Sequence, residues 1–346
     1  MQIKKTETTT AWFGALCFFL STIEYMIPKP LPFLRLGLAN LPVMLAIDIL
    51  PLPSYFILVL IKILGQGLIG GTLFSYIFLF SAVGSISSAC VMLLIKRSFP
   101  MAVSFIGISV AGAFTSNASQ LLLARYYIFG ESAWYIAPPF IALGAISGTL
   151  LGLFANRFAQ KSLWYGEVRS GNIAHIEIQA ASGIADPSVK SGFYASPAFR
   201  FGGGSLLLLC LMFAPSIAAQ TVITAIAIIL VLSEKSRIHL VPVLIMSASI
   251  IVFNLMSPFG KVILTTPFNL PITEGALLLG IKKALTMEGM IFISRWMLKP
   301  GFRLPGKAGR LVSEAFLILA HLTGSKKKLD PKNLIQSIDS IMYGRG

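Results

Sequence analysis

Long apolar runs alternate with short polar or basic breaks along the first 160 residues of the chain. A helix needs about 20 apolar residues to cross a hydrocarbon core, and these runs have or approach that length. The runs cover residues 11–27, 36–50, 54–71, 74–95, 102–128 and 134–154. The pattern predicts six helices and therefore an all-α, polytopic membrane protein.

A polar stretch separates these runs from a second apolar block. Residues 161–198 place charged side chains among glycines and serines, which is typical of a linker. We therefore divide the chain into a six-helix membrane domain (1–160), a cytoplasmic linker (161–198) and a second membrane and coupling region (199–346).

The second region combines about four more membrane helices with a basic tail. Its apolar runs cover residues 204–218, 221–232, 240–255 and 272–298. Residues 299–346 alternate basic clusters with apolar stretches, which predicts amphipathic helices at the cytoplasmic surface.

Composition and charge agree with a membrane environment. The chain is 55% hydrophobic and 12% charged, whereas soluble domains contain about 25% charged residues. The net charge of +15 is divided among the breaks between apolar runs and the tail, so we interpret it as anchoring to membrane lipid and not as binding nucleic acid. Lys96, Arg97, Arg157 and Lys161 fall on one side, which predicts an inner (cytoplasmic) membrane protein with cytoplasmic N- and C-termini.

The sequence lacks the usual signatures of a metal site or an enzyme. The three cysteines lie in separate apolar runs without a CxxC pair, and no two of the 13 acidic residues are adjacent. A prenyl diphosphate synthase needs clustered aspartates to hold magnesium against a diphosphate. We therefore predict that the chain is not an enzyme and has no cofactor.

Polar residues within the apolar runs are the candidates for function. Asn40 lies one turn inside the second run, and Arg35 at its edge could either face a pocket or extend to the lipid headgroups. In the fifth run, Ser109, Ser116 and Gln120 share one helical face, and Asn117 adjoins it. Such a stripe avoids lipid, so it faces either a ligand pocket or a neighbouring helix.

Three segments of the first domain carry a family resemblance. They are LRLGLANLP at residues 34–42, GTLFS at 71–75 and GISVAGA at 107–113. In this order and spacing they resemble the Gx transporter family, which also carries the label heptaprenyl diphosphate synthase component I. The resemblance covers about residues 10–160 and implies the six-helix fold of the substrate-binding (S) components of energy-coupling-factor (ECF) transporters.

This resemblance implies a pocket for a small-molecule substrate between the polar stripes, and transport by toppling of the binding domain. The substrate-binding residues that we predict are Arg35, Asn40, Ser75, Ser109, Asn117 and Gln120. Members of the family often have a His-Asn-x-x-Gln pattern, where this chain has SNASQ at residues 116–120.

The second region resembles, more weakly, the membrane scaffold (T) component of the same transporters. PITEGAL at residues 271–277 and LPGKAG at 304–309 carry this resemblance. It implies coupling to ATPase subunits or other membrane partners through Glu274, Glu288, Arg295 and Arg345. Glu274 and Arg295 could instead be a helix-dipole acid and a cytoplasmic anchor.

The leading hypothesis is a membrane subunit of an ECF-type transporter for a flavin, a vitamin or an isoprenoid- or quinone-related precursor. Two alternatives come from other classes: a membrane component of a flavin- or quinone-linked electron-transfer system, and an anchoring subunit whose basic tail holds partners at the inner leaflet.

Overall fold

The computed structural model describes residues 2–26, 36–171, 196–234, 238, 240–265, 271–298, 306–324 and 333–342. Three helical stretches in it are long and apolar enough to cross a membrane: Leu52–Gly70, Tyr76–Ser98 and Phe105–Lys161. Three shorter apolar helices lie in the second half of the chain. The predicted all-α membrane fold is confirmed.

Seven helices form the first bundle and its edge. They are α1 (Gln2–Met26), α2 (Asn40–Ala46), α3 (Leu52–Gly70), α4 (Tyr76–Ser98), α5 (Phe105–Ala124), α6 (Ala133–Lys161) and α7 (Leu163–Ser170). A π-helical turn (Arg125–Phe129) and a 3-10 turn (Gly130–Ser132) connect α5 to α6.

The second predicted helix, at residues 36–50, is much shorter than expected. Only Asn40–Ala46 is helical, about 10 Å of helix. Gly37 precedes it with φ 80°, a left-handed conformation that favours glycine, and Pro51 follows it with an extended backbone. At the start of α2, Asn40 Oδ1 accepts a hydrogen bond from Lys62 of α3.

Glycines allow α5 and α6 to approach backbone to backbone. A Cβ added at Gly148 would lie 3.1 Å from Val110 Cα, and one at Gly152 would lie 2.5 Å from Ile106 Cα. Only glycine avoids these contacts without moving a helix. The close packing fixes α5, which carries the predicted polar stripe, against α6.

The second block contains α8 (Pro197–Met212), α9 (Ile217–Ser233), α10 (Leu240–Leu255) and α11 (Glu274–Met297), which confirms the four predicted helices. Between α10 and α11 lies an antiparallel hairpin of β1 (Val262–Thr265) and β2 (Pro271–Thr273), which we did not predict. Helix α11 packs against the other three: Thr224 of α9 donates to Leu285 O at 3.3 Å, and Ser247 of α10 donates to Glu288 Oε1 at 3.3 Å.

The second block is anchored to one end of the first bundle. The Phe74 amide, just before α4, donates to Ser294 Oγ of α11 at 3.1 Å. Arg295 Nη2 donates to the Tyr25 hydroxyl near the end of α1 at 2.8 Å. Asn254 Nδ2 of α10 donates to Ile128 O after α5 at 3.2 Å. Because helices alternate in direction, this end of the bundle is opposite the end that carries the basic residues closing α4.

Two C-terminal helices, α12 (Gly306–Gly324) and α13 (Leu334–Met342), contact the first bundle. Arg310 of α12 pairs with Glu7 of α1 at 3.1 Å, and the rings of Phe316 and Phe18 are 4.5 Å apart. Leu311, Val312, Ala315 and Ile318 are buried in the core that these helices share. Helix α12 therefore runs beside α1 and α3, with its apolar face inward.

Asp339 attaches α13 to the start of α7. Its buried carboxylate accepts hydrogen bonds from the Ser162 hydroxyl and from the Leu163 amide, the latter at 2.9 Å. A carboxylate at a helix N-terminus satisfies free amide groups and interacts favourably with the helix dipole.

We expect Asp339→Ala to release α13 from α7 and to lower the stability of the protein by about 1–2 kcal/mol, the usual effect of losing a helix cap. Gln336→Ala is the control, because Gln336 is exposed on the same helix. Thermal unfolding in detergent and limited proteolysis of the C-terminal segment measure the effect. Equal protease resistance of the two variants would contradict this role of Asp339.

Candidate functional site

A polar cavity lies inside the first bundle, between α1, α2, α3, α4, α5 and α6. Its volume is about 30 Å³, which is room for about two water molecules. Met44, Met92 and Leu151 give it an apolar portion. The remaining wall is dominated by hydroxyl, amide and charged side chains.

Twelve polar side chains from six helices contribute to this wall, and most of them lie in the interior of their helices. They are Glu24, Asn40, Lys62, Gln66, Ser81, Ser85, Ser88, Ser109, Ser116, Asn117, Gln120 and Ser147. Polar groups at membrane depth are costly unless they meet protein partners or a water-filled space. Their convergence on one cavity therefore marks it as the candidate binding site.

Lys62 is the most unusual residue of the cavity. It lies in the middle of α3 with only 3% of its surface exposed. Its ammonium donates to Asn40 Oδ1 and, at 3.0 Å, to Ser85 Oγ. Lys62 thereby connects α2, α3 and α4 at the cavity wall and places a positive charge there.

Glu24 holds the segment that leads into α2. Its carboxylate accepts hydrogen bonds from the Gly37 amide at 3.3 Å and from the Leu38 amide at 3.0 Å. On the neighbouring wall, Ser81 Oγ donates to Gln66 Oε1 at 3.1 Å. These bonds position the edge of the cavity near α1, α3 and α4.

The predicted stripe on α5 faces this cavity. Ser109, Ser116, Asn117 and Gln120 all line it. Asn117 Nδ2 also donates to Phe140 O of α6 at 2.8 Å, so the pocket and the helix seam, which the sequence left as alternatives, coexist at Asn117. Gln120 Nε2 donates to Ser116 Oγ at 2.8 Å.

Two buried polar atoms in the cavity wall are unsatisfied. Within the described part of the chain, neither Ser88 Oγ nor Gln120 Oε1 has a hydrogen-bond partner. Ser88 is 0% exposed and Gln120 is 3% exposed. An unpaired buried polar group costs about 1–3 kcal/mol, so a hydrogen-bond partner supplied within the cavity would stabilise both atoms.

Asn40 lines the cavity together with the α5 stripe, whereas other predicted residues lie elsewhere. Ser75 is in the loop before α4, where its hydroxyl donates to Thr72 O at 2.7 Å. Arg35 and Arg345 lie outside the described residues. Lys62, Gln66 and the α4 serines were not among the predicted site residues, although a lone lysine within an apolar run is a visible signal in the sequence.

The predicted coupling residues of α11 are spread along the helix. Glu274 is exposed in its first turn, and Glu288 is buried beside Ser247 of α10. Arg295 contacts Tyr25 at the other end of α11. Glu274 and Arg295 are 21 residues apart, about 31 Å along the helix axis, so the structure does not bring these three side chains together.

Comparison with known proteins gives matches for both blocks. Residues 13–158 match the family model described as heptaprenyl diphosphate synthase component I. This match confirms the resemblance that the motifs of the first domain carry. Residues 196–300 match a domain of unknown function (DUF8519), which gives no support to the resemblance to a T component. No curated protein and no solved structure matches the chain.

Proposed function

We propose that this chain, whose residues 13–158 match the heptaprenyl diphosphate synthase component I family, is a membrane subunit of an ECF-type transporter. In this role the first bundle binds a small organic micronutrient or precursor in its polar cavity. The chain binds its substrate without converting it, and partner ATPases supply the hydrolysis of ATP.

The observation that carries this proposal is the polar cavity, whose wall contains two buried atoms without a hydrogen-bond partner in the described chain. A bundle that needed only to be stable would gain by filling this space with apolar side chains, because unpaired polar atoms oppose folding. Ser88 and Gln120 instead remain unpaired at the cavity. Such groups are expected where a ligand completes the hydrogen bonding.

The cavity must widen to accept an organic molecule, because it has room for only about two water molecules. Leu36, Gly37 and Ala39 line part of it, and α2 begins directly after them at Asn40. The amides of Gly37 and Leu38 donate to the Glu24 carboxylate, and these two hydrogen bonds hold the segment in place. We propose that displacement of this segment opens the cavity.

The contacts of α12 and α13 place these C-terminal helices at the same end of the first bundle as the start of α1. Arg310 pairs with Glu7 near the start of α1, and Asp339 binds the start of α7. We propose that this end faces the cytoplasm of an inner-membrane protein, where the ATPases would bind. The basic breaks after α4 and near the end of α6 favour the same orientation.

Identification of partners tests the transport role. Full-length chain carrying an affinity tag is purified from its own cells in mild detergent, and the recovered proteins are identified by mass spectrometry. We expect transporter ATPase subunits among them. We also expect cellular uptake of any small molecule that copurifies with the chain to stop when hydrolysis of ATP by these subunits is blocked. Recovery of flavin or haem proteins without an ATPase would support electron transfer instead.

A further inference from the structure

We propose that Arg295 of α11 is a positioning residue through which the second block keeps the cavity of the first bundle closed. Arg295 acts on the last turn of α1, and that turn holds residues 36–39, the segment whose displacement opens the cavity. We call residues 36–39 the gate segment. This inference rests on the proposed binding role of the first bundle, and it gives the second block control over access to the site.

The gate segment is attached to α1 by three hydrogen bonds. The Glu24 carboxylate accepts from the Gly37 amide at 3.3 Å and from the Leu38 amide at 3.0 Å. Two turns earlier on α1, the Cys17 thiol donates to Ala39 O at 3.5 Å. Glu24 and Cys17 are both buried. The position of the gate segment therefore depends on the position of the last turns of α1.

Arg295 holds the last turn of α1 from the second block. Tyr25 follows Glu24 directly and is the second-last residue of α1. Its hydroxyl accepts a hydrogen bond from Arg295 Nη2 at 2.8 Å. The last turn of a helix lacks part of its intrahelical hydrogen bonding and opens more readily than the interior. A contact at Tyr25 therefore limits movement of the neighbouring Glu24.

The Arg295 side chain is itself fixed on the first bundle. Gly71 follows α3 in a left-handed conformation, and a Cβ added there would lie 2.6 Å from Arg295 Cγ. The adjacent Ser294 is fully buried, and its hydroxyl accepts from the Phe74 amide at 3.1 Å. Two consecutive residues of α11 thus dock on the turn between α3 and α4. The missing side chain at Gly71 leaves room for the arginine stem that reaches Tyr25.

The contact between Arg295 and Tyr25 can break without unfolding the bundle. Tyr25 is 52% exposed, so water can replace the hydrogen bond when it is lost. A hydrogen bond of this kind contributes little to global stability, yet it can hold a helix end in place. A displacement of α11 that breaks this bond frees the last turn of α1 and, with it, the gate segment.

The native Cys17 thiol reports movement of the gate segment. It is 0% exposed and bonded to Ala39, so N-ethylmaleimide reaches it only when the surrounding structure opens. Labelling is followed by mass spectrometry on the full-length chain in mild detergent. Cys90→Ala/Cys210→Ala is the background for all variants, because Cys90 and Cys210 are exposed. The labelling rate is proportional to the population of the open state.

We expect Tyr25→Phe and Arg295→Gln each to accelerate labelling of Cys17 about 2–10-fold, the effect of one lost hydrogen bond. The double variant should be no faster than the faster single variant, because both changes remove the same bond. Unchanged labelling in either single variant would overturn the role of Arg295. Effects that add in the double variant would also overturn it, because the two side chains would then act separately.

Two further variants locate the effect at this end of α1. Arg310→Gln removes a different arginine contact to α1, the pair with Glu7 near its start, and it should leave the labelling rate unchanged. Glu24→Ala removes two bonds to the gate segment directly and should accelerate labelling at least as much as Tyr25→Phe. Equal acceleration in Arg310→Gln and Arg295→Gln would overturn the inference, because general loosening of α1 would then explain both.

The inference and the proposed function fail in different ways. Faster labelling in Glu24→Ala alone would leave the gate segment in place and overturn the role of Arg295. Faster labelling in the Arg295 and Tyr25 variants, without recovery of any ATPase partner, would support the role of Arg295 and overturn the transport role.

Discussion

Replacing Ser88 by alanine and Gln120 by methionine in one chain should make the empty protein more stable and its ligand binding weaker. Both changes remove a buried polar atom that lacks a partner in the described structure. Each such atom costs about 1–3 kcal/mol, and part of the gain at Gln120 is offset because its bond to Ser116 is also lost. We expect a net stabilisation of about 2 kcal/mol for the double variant.

The same double variant should bind the ligand about 10–100-fold more weakly, because two hydrogen bonds of about 0.5–1.5 kcal/mol each are lost. Thermal unfolding without ligand and equilibrium binding of the retained compound measure the two effects. A residue that only supports the fold would not move stability and affinity in opposite directions.

Two matched controls make this result specific. Ser87→Ala removes the neighbouring hydroxyl, which bonds to Val83 O at 2.8 Å and is not among the described residues that line the cavity. Gln220→Met removes another unsatisfied buried amide oxygen, in α9 of the second block. Neither control should change ligand affinity. Weaker binding in Gln220→Met, or a destabilised double variant, would contradict the assignment of the cavity.

A single methyl group at Gly152 should separate α5 from α6. Its added Cβ would lie 2.5 Å from Ile106 Cα, 3.0 Å from Ile106 N and 3.0 Å from Phe105 O. All three are backbone atoms, so the helix itself must move. Overpacking of this kind costs about 1–3 kcal/mol or more, and the gain in helix propensity from Gly to Ala is only about 1 kcal/mol.

We therefore expect Gly152→Ala to lower the stability of the protein by about 2 kcal/mol and to weaken ligand binding, because α5 carries Ser109, Ser116 and Gln120. Gly166→Ala in α7 is the matched control, since no heavy atom of the described chain outside its neighbours lies within 4 Å of a Cβ there. It should be neutral or stabilising. The unfolding temperature of the monodisperse protein gives the comparison, and equal values for the two variants would show that the helices adapt without cost.

The part of the fold that the sequence predicts follows from the length of its apolar runs. The apolar runs of α3, α4, α5, α6 and α10 have few competing signals, so their helices appear close to the predicted positions. The polar stripe of α5 was also predictable, because helical periodicity alone places Ser109, Ser116 and Gln120 on one face.

Other features depend on contacts between distant segments. The apolar run at residues 36–50 contains only the short α2. Gly37, in a left-handed conformation, precedes this helix and Pro51, with an extended backbone, follows it, so the helix is shorter than hydropathy indicates. The buried Lys62 side chain donates to Asn40 and Ser85, which belong to other helices, so its burial could not be read from its own segment. Hydropathy alone could not indicate that α12 packs beside α1 through Ala315 and Phe316.

Native mass spectrometry of the full-length chain, purified in mild detergent, tests the central claim that the first bundle is a binding domain. We expect one small molecule per chain in the wild-type protein and its loss from the Ser88→Ala/Gln120→Met variant, with full retention in Gln220→Met. A wild-type chain that carries no small molecule, or equal retention in all three proteins, would contradict it.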